Sequence, residues 1–79
     1  MDITLIQKEE VCGICYKLFR ATFFHNYYVI IAQTKKEFFC ESFSANKDDA
    51  KQLFSEIAQS ATEPFTISDI LSDYTKQKA

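Results

Sequence analysis

The sequence predicts an α+β domain: an antiparallel β-meander of three to four strands followed by two α-helices packed on one face of the sheet. Three observations carry this. Residues 46–61 place Ala50, Leu53, Phe54, Ile57, Ala58 and Ala61 at the i, i+3, i+4, i+7, i+8, i+11 spacing of one helix face. Ile67, Ile70, Leu71 and Tyr74 form a second, shorter stripe of the same period. Before residue 44 the apolar residues alternate or run continuously instead, so strands come first and helices last.

The first strand is expected at about 2–7, where Ile3 and Leu5 alternate with polar residues, with Val11 further along the same side. The polar cluster Gln7-Lys8-Glu9-Glu10 ends it, and so short a strand suits a sheet edge. Residues 13–22 split into Ile14, Tyr16, Leu18 and Arg20 on one side and Cys15, Lys17, Phe19 and Ala21 on the other. A helix is the competing reading there. His25-Asn26 makes a tight turn, since Asn tolerates left-handed backbone. Residues 27–34 are apolar on both sides, with Tyr27, Val29 and Ile31 against Tyr28, Ile30 and Ala32, which places this strand centrally and covered on two sides. Lys35-Lys36 turn the chain into a fourth strand at 37–43, where Phe39 and Phe43 alternate with Glu37 and Glu41 while Phe38 and Cys40 take the opposite face.

Asn46 caps the first helix, 47–61, and Asp48 and Asp49 occupy its first turn, where unpaired N–H groups favour negative charge. Thr62-Glu63-Pro64 ends it, because Pro lacks a donor and disfavours a helical residue before it. Thr66, with Asp69 three residues on, caps a second helix at 67–75. The polar tail from Thr75 is expected to fray.

A chain of 79 residues holds a single domain, 1–79, with a small core. Its net charge of −2 gives no general attraction for phosphates or acidic lipid, although residues 11–43 sum to +2 while residues 1–10 and 44–79 each sum to −2. No apolar run is long enough to span a bilayer, and the N-terminus lacks the pattern of a secretion signal. Three cysteines cannot all pair within one chain. A cytoplasmic protein without membrane contact is therefore expected.

Of the twelve aromatic residues, eight Phe and four Tyr, only Phe54, Phe65 and Tyr74 fall in the helical half. Two short helices cover one sheet face, so the second is expected to expose rings that meet a protein partner or a second copy. The expected contacts are Phe19, Phe23, Tyr27 and Phe39, or their alternates. The plainer alternative is that a curled sheet or the first strand covers them.

The strand residues, Phe43-Ser44-Ala45-Asn46-Lys47, the Leu53-Phe54-Ile57 stripe and Pro64-Phe65-Thr66-Ile67 leading to Ile70-Leu71-Ser72-Asp73-Tyr74 together resemble a small uncharacterised domain family of clostridia and related bacteria. The resemblance runs from about residue 14 onward and implies strands, a capped helix, a Pro-containing loop and a closing helix with an acidic-aromatic end. The family brings no assigned activity with it. Extra aromatics and Cys12-Gly13-Ile14-Cys15 depart from its pattern.

Cys12-Gly13-Ile14-Cys15 has the C-x-x-C form of thiol redox proteins, which place it at a helix N-terminus. A β-like run follows it here. Cys12, Cys15, His25 and Cys40 equal the four ligands of a zinc site, the first pair at zinc-like spacing, but thiols three apart on one strand point to opposite faces. The opening also resembles a RING finger, which needs eight ligands. His25 has no neighbouring carboxylate in sequence and fits a solvated turn better than a general base. A single Gly excludes a phosphate-cradling loop. Lys17, Arg20, Lys35 and Lys36 among sheet aromatics are ingredients of a single-strand platform, but an RNA-recognition domain interleaves helices with its strands, so nucleic acid is not expected.

The expected function is a non-catalytic protein-binding or regulatory module, acting without a cofactor through its aromatic sheet face or a sheet edge. A more pointed form is an inhibitor or immunity-type protein, such as a phage anti-defence factor, that blocks a larger enzyme. Asp48, Asp49, Glu56, Asp69 and Asp73 would then meet a basic groove. Thiol-redox or zinc chemistry at Cys12 and Cys15 is the third reading.

Overall fold

The computed structural model describes residues 2–22 and 26–78. In chain order they form β1 (Asp2–Val11), β2 (Ile14–Thr22), β3 (Asn26–Gln33), β4 (Phe38–Phe43), α1 (Lys47–Gln59) and α2 (Pro64–Lys78). The strands make one antiparallel sheet in the order β1-β2-β3-β4, and both helices pack on it. The α+β meander expected from the sequence is therefore the observed fold.

Cys12 and Gly13 have φ of 52° and 79°. Two successive positive values are what a two-residue hairpin turn needs if its twist is to match the flanking strands. Val11 consequently pairs with Ile14, and backbone bonds zip Glu10, Glu9 and Lys8 onto Cys15, Tyr16 and Lys17. This corrects the expected strand end at residue 7, because ladder bonds hold a polar segment in a strand without apolar side chains. Between Leu5 and Gln7 the register slips by one residue, leaving Ile6 as the extra residue of a bulge. Alternation reverses there. Val11 and Ile6 pack toward the core, while Leu5 pairs with Phe19 and Ile3 with Ala21 on the opposite face. Ile3, Leu5 and Val11 thus do not share one side as their odd numbering suggested.

β2 and β3 form the middle of the sheet. Tyr16, Leu18, Tyr28, Ile30 and Ala32 point to one face, where they meet Ala50, Phe54, Ile57 and Ala58 of α1 and Ile67 and Leu71 of α2. β3 is central as expected but covered on one side only. Tyr27, Val29 and Ile31 on its other face are half-buried, with both helices packed on the far side. Between β3 and β4, the Thr34 hydroxyl accepts from the N–H groups of Lys36 (3.2 Å) and Glu37 (2.9 Å), which turns the chain at the lysine pair. The expected His25-Asn26 turn lies partly outside the described residues, and Asn26 opens β3.

Asn46 caps α1 as expected, its side-chain oxygen accepting from Asp49 N–H at 2.8 Å. The helix stops at Gln59, two residues short of its expected end, because Ala61 adopts φ of 50°. Ala61 N–H then donates to the Ala58 carbonyl and Thr62 N–H to the Ile57 carbonyl, each at 3.1 Å. These two bonds form a Schellman cap, whose left-handed position usually holds Gly. Ala61→Gly is accordingly expected to stabilise the chain by about 0.5 to 1 kcal/mol, raising the melting temperature by about 3 to 6 °C. A thermal melt showing no gain would contradict this geometry. Pro64 is the first residue of α2, where its missing N–H costs nothing, so the second helix starts before the expected Thr66 cap. The helix runs to Lys78, three residues beyond its expected end at Thr75.

Two tyrosines tie the layers. The fully buried Tyr16 donates its hydroxyl to the Thr62 carbonyl at 2.6 Å, fastening the α1–α2 connection to β2. Tyr74 donates to Asp49 Oδ2 at 2.9 Å and meets Phe43 edge-on at 6.5 Å between ring centres. Burial, with the Cys12 thiolate adding repulsion, raises the Tyr16 hydroxyl above its ordinary value. For Tyr74 burial is again the largest cause, followed by its bond to Asp49 and that carboxylate's charge. The folded chain therefore holds these protons at a pH where the unfolded chain has released them. Their contribution is complete below about pH 10 and is lost as pH rises above it. Melts between pH 8 and 11 (about the range spanning the Tyr value) should show this decline. Tyr16→Phe should cost about 1 kcal/mol at neutral pH and flatten the alkaline fall; an unchanged alkaline slope would contradict the burial of that hydroxyl.

Candidate interaction face

The sheet face turned away from the helices is read off the ladder row by row. At one end Ile3, Ala21 and Tyr27 lie side by side; next come Leu5, Phe19, Val29 and Ser42. The third row is Lys8, Lys17, Ile31 and Cys40, and the fourth is Glu10, Cys15, Gln33 and Phe38. Ile3, Leu5 and Phe38 are 61%, 49% and 64% exposed. Phe19, Tyr27, Val29 and Ile31 are half-buried, and among the described residues they stand outside the core cluster that the helices cover. Ala21 is buried yet stands outside the helix-facing core cluster. The result is a contiguous apolar surface over two and a half rows with a cationic pair across the third.

Of the expected ring contacts, Phe19 and Tyr27 stand on this open face. Phe39 does not, since it pairs with Ala32 on the covered face and packs against the core. That is a correction, and its cause is alternation: the neighbouring Phe38 takes the outward position. Phe23 lies outside the described residues. Among the nine aromatics of the sheet half, Tyr16, Tyr28 and Phe43 are enclosed by the helices.

The acidic residues lie on the other side of the molecule. Asp48 and Asp49 are in the first turn of α1, and Asp69 and Asp73 are exposed on α2. Asp49 is half-buried and engaged by Tyr74. With Gln52, Leu53, Glu56 and Tyr74 it lines a groove of about 200 Å³ between the helices. On the covered face of β4, Glu41 Oε2 is buried without a hydrogen-bond partner among the described residues.

The cysteines separate. Cys12 occupies the hairpin turn and is exposed, Cys15 lies on the open face of β2, and Cys40 is two strands away on β4. Cys12 and Cys15 line an open hollow of about 590 Å³ at the turn end of the sheet, with Glu10, Gln33, Thr34 and Lys35. C-x-x-C thus sits at a hairpin, without the helix N-terminus that lowers a thiol's pKa in redox proteins. Among the described residues no three His, Cys, Asp or Glu side chains converge as metal ligands, and His25 lies outside those residues.

The geometry defines a two-layer α+β unit with one dressed and one bare sheet face. Comparison with protein-family models, curated proteins and solved structures gives no match to this chain. No helix among the described residues is long and apolar enough to cross a membrane.

Sequence reasoning set Val29 and Ile31 on the side of Tyr27 and counted Phe38 among the rings of the sheet half, but it named none of Ile3, Leu5, Val29 or Ile31 as a contact and did not pair Lys8 with Lys17. Gly13 carried the usable signal. A two-residue turn at 12–13 sets each pair up to the bulge, whereas nothing in the sequence marks the bulge itself.

Proposed function

We propose that the chain is a non-catalytic, cytoplasmic binding module that engages a protein partner through the open sheet face. The observation that supports this is the apolar surface of Leu5, Phe19, Val29, Ile31 and Tyr27 left bare by both helices. Such surface is costly to solubility and is kept small in monomeric proteins unless something covers it. The test is affinity capture from the source organism with the native chain and with Val29→Lys. The substitution adds charge on the open face and should leave the melting temperature within about 5 °C, because Val29 touches no helix. Loss of the captured partner by a variant that still folds is the expected result. Retention of the same partner would contradict the reading.

An inhibitory role against a larger enzyme is the second reading, supported by the acidic groove of Asp49 and Glu56 between the helices. Its mark in the same experiment is a partner lost on Glu56→Lys and kept on Val29→Lys.

A further inference from the structure

Lys8 and Lys17 are direct partners across β1 and β2, on the open face, beside Leu5, Phe19 and Ile31. Like charges directly opposite one another in an antiparallel pair oppose strand pairing. Among the described residues no carboxylate makes an ion pair with either. Lys17 is half-buried between Lys8 and Ile31 on this face. Among the described residues the one acid on this face is Glu10 in the next row, whereas Asp48, Asp49, Glu56, Asp69 and Asp73 all lie on the helices. A chain of net charge −2 thus presents a bare face that is apolar with a cationic row, backed by an acidic helical side.

We infer that the open face takes an amphipathic helix of a protein partner, its apolar stripe over Leu5, Phe19, Val29 and Ile31 and its acidic flank on Lys8 and Lys17. This rests on the binding-module reading above and names the partner's chemistry. Size fits: four strands at ~4.8 Å spacing give a width of about 19 Å, and a helix with its side chains takes about 10 Å. The same sheet already seats two helices on its covered face. A second copy fits less well. Stacking two such faces would enclose four lysines with only Glu10 of each chain to answer them, and enclosed unpaired charge opposes association. Nucleic acid also fits less well, because the rings Phe19, Tyr27 and Phe38 stand in three different rows of the face rather than side by side, and among the described residues Lys8 and Lys17 are its only cations.

The test is a methyl-resolved NMR titration of the intact chain with two synthetic peptides about 18 residues long, ~27 Å as helices. They share leucines at i, i+3, i+4 and i+7 and differ only in carrying glutamate or lysine beside that stripe. The expected result is movement of the Leu5, Val29 and Ile31 methyls, with the glutamate peptide binding at least about tenfold more tightly. Lys8→Glu with Lys17→Glu should reverse that order. Equal binding of both peptides at these methyls overturns the acidic-helix assignment and leaves the binding-module reading standing. Shifts confined to α1 and α2 overturn both. Concentration-dependent shifts of the same methyls without peptide, meaning a second copy, overturn the inference. So does binding of oligothymidine or phosphatidylserine vesicles where the glutamate peptide fails.

Discussion

Phe54→Ala is expected to cost about 3 to 5 kcal/mol in a urea titration, the range for emptying an aromatic site that cannot collapse. Phe54 is wholly buried on α1, in one cluster with Tyr16, Leu18 and Ile30 of the sheet and Ile67 of α2. Both layers lose contacts when its ring is removed. A chain of this size has a total stability of only ~4 to 12 kcal/mol, so this one substitution removes about a quarter of it or more. A loss below about 1 kcal/mol would place Phe54 outside the core.

Ile30→Ala and Ile31→Ala should differ sharply, although the two residues are neighbours of the same type on one strand. Ile30 is fully buried beneath the helices, and Ile31 is half-buried on the opposite face. Truncating Ile30 removes buried methyl groups and leaves a cavity, for about 2 to 5 kcal/mol. Truncating Ile31 removes only contacts with cross-strand neighbours, for about 1 kcal/mol. Comparable losses in denaturant titrations of both variants would mean that something other than the helices shields the second face.

The helical half was legible because each signal there is local. The stripe of Ala50, Phe54, Ile57 and Ala58 faces the core, and the Asn46 cap forms with the bond its sequence position implies. Helix ends were less legible, since Ala61 adopts a backbone that its side chain does not favour and Pro64 opens a helix rather than closing one. In the sheet half, the alternation in β2 and β3 separates Tyr16, Leu18 and Ile30 from Phe19, Val29 and Ile31 as the sequence suggests. β1 was misjudged in length and facing for two physical reasons. Its turn uses Cys12 where Asn or Asp is customary, and its bulge changes register where no residue type signals it. Phe39 was assigned to the wrong face because Phe38 and Phe39 are adjacent and equally apolar, so register alone decides which ring points inward. The open face was foreseen by counting rings against helices, but the count left out the aliphatic residues Ile3, Leu5, Val29 and Ile31 that lie on it with Phe19, Tyr27 and Phe38.

That a single chain dresses one sheet face and leaves the other bare is most directly tested by exposing the dilute, isolated protein to a soluble paramagnetic relaxation agent and reading methyl signals. Ile3 and Leu5, and more weakly Val29 and Ile31, should broaden, whereas Leu18, Ile30 and Ile57 should be spared. Equal protection of both sets would show that the second face is already enclosed, and no partner would be needed to cover it.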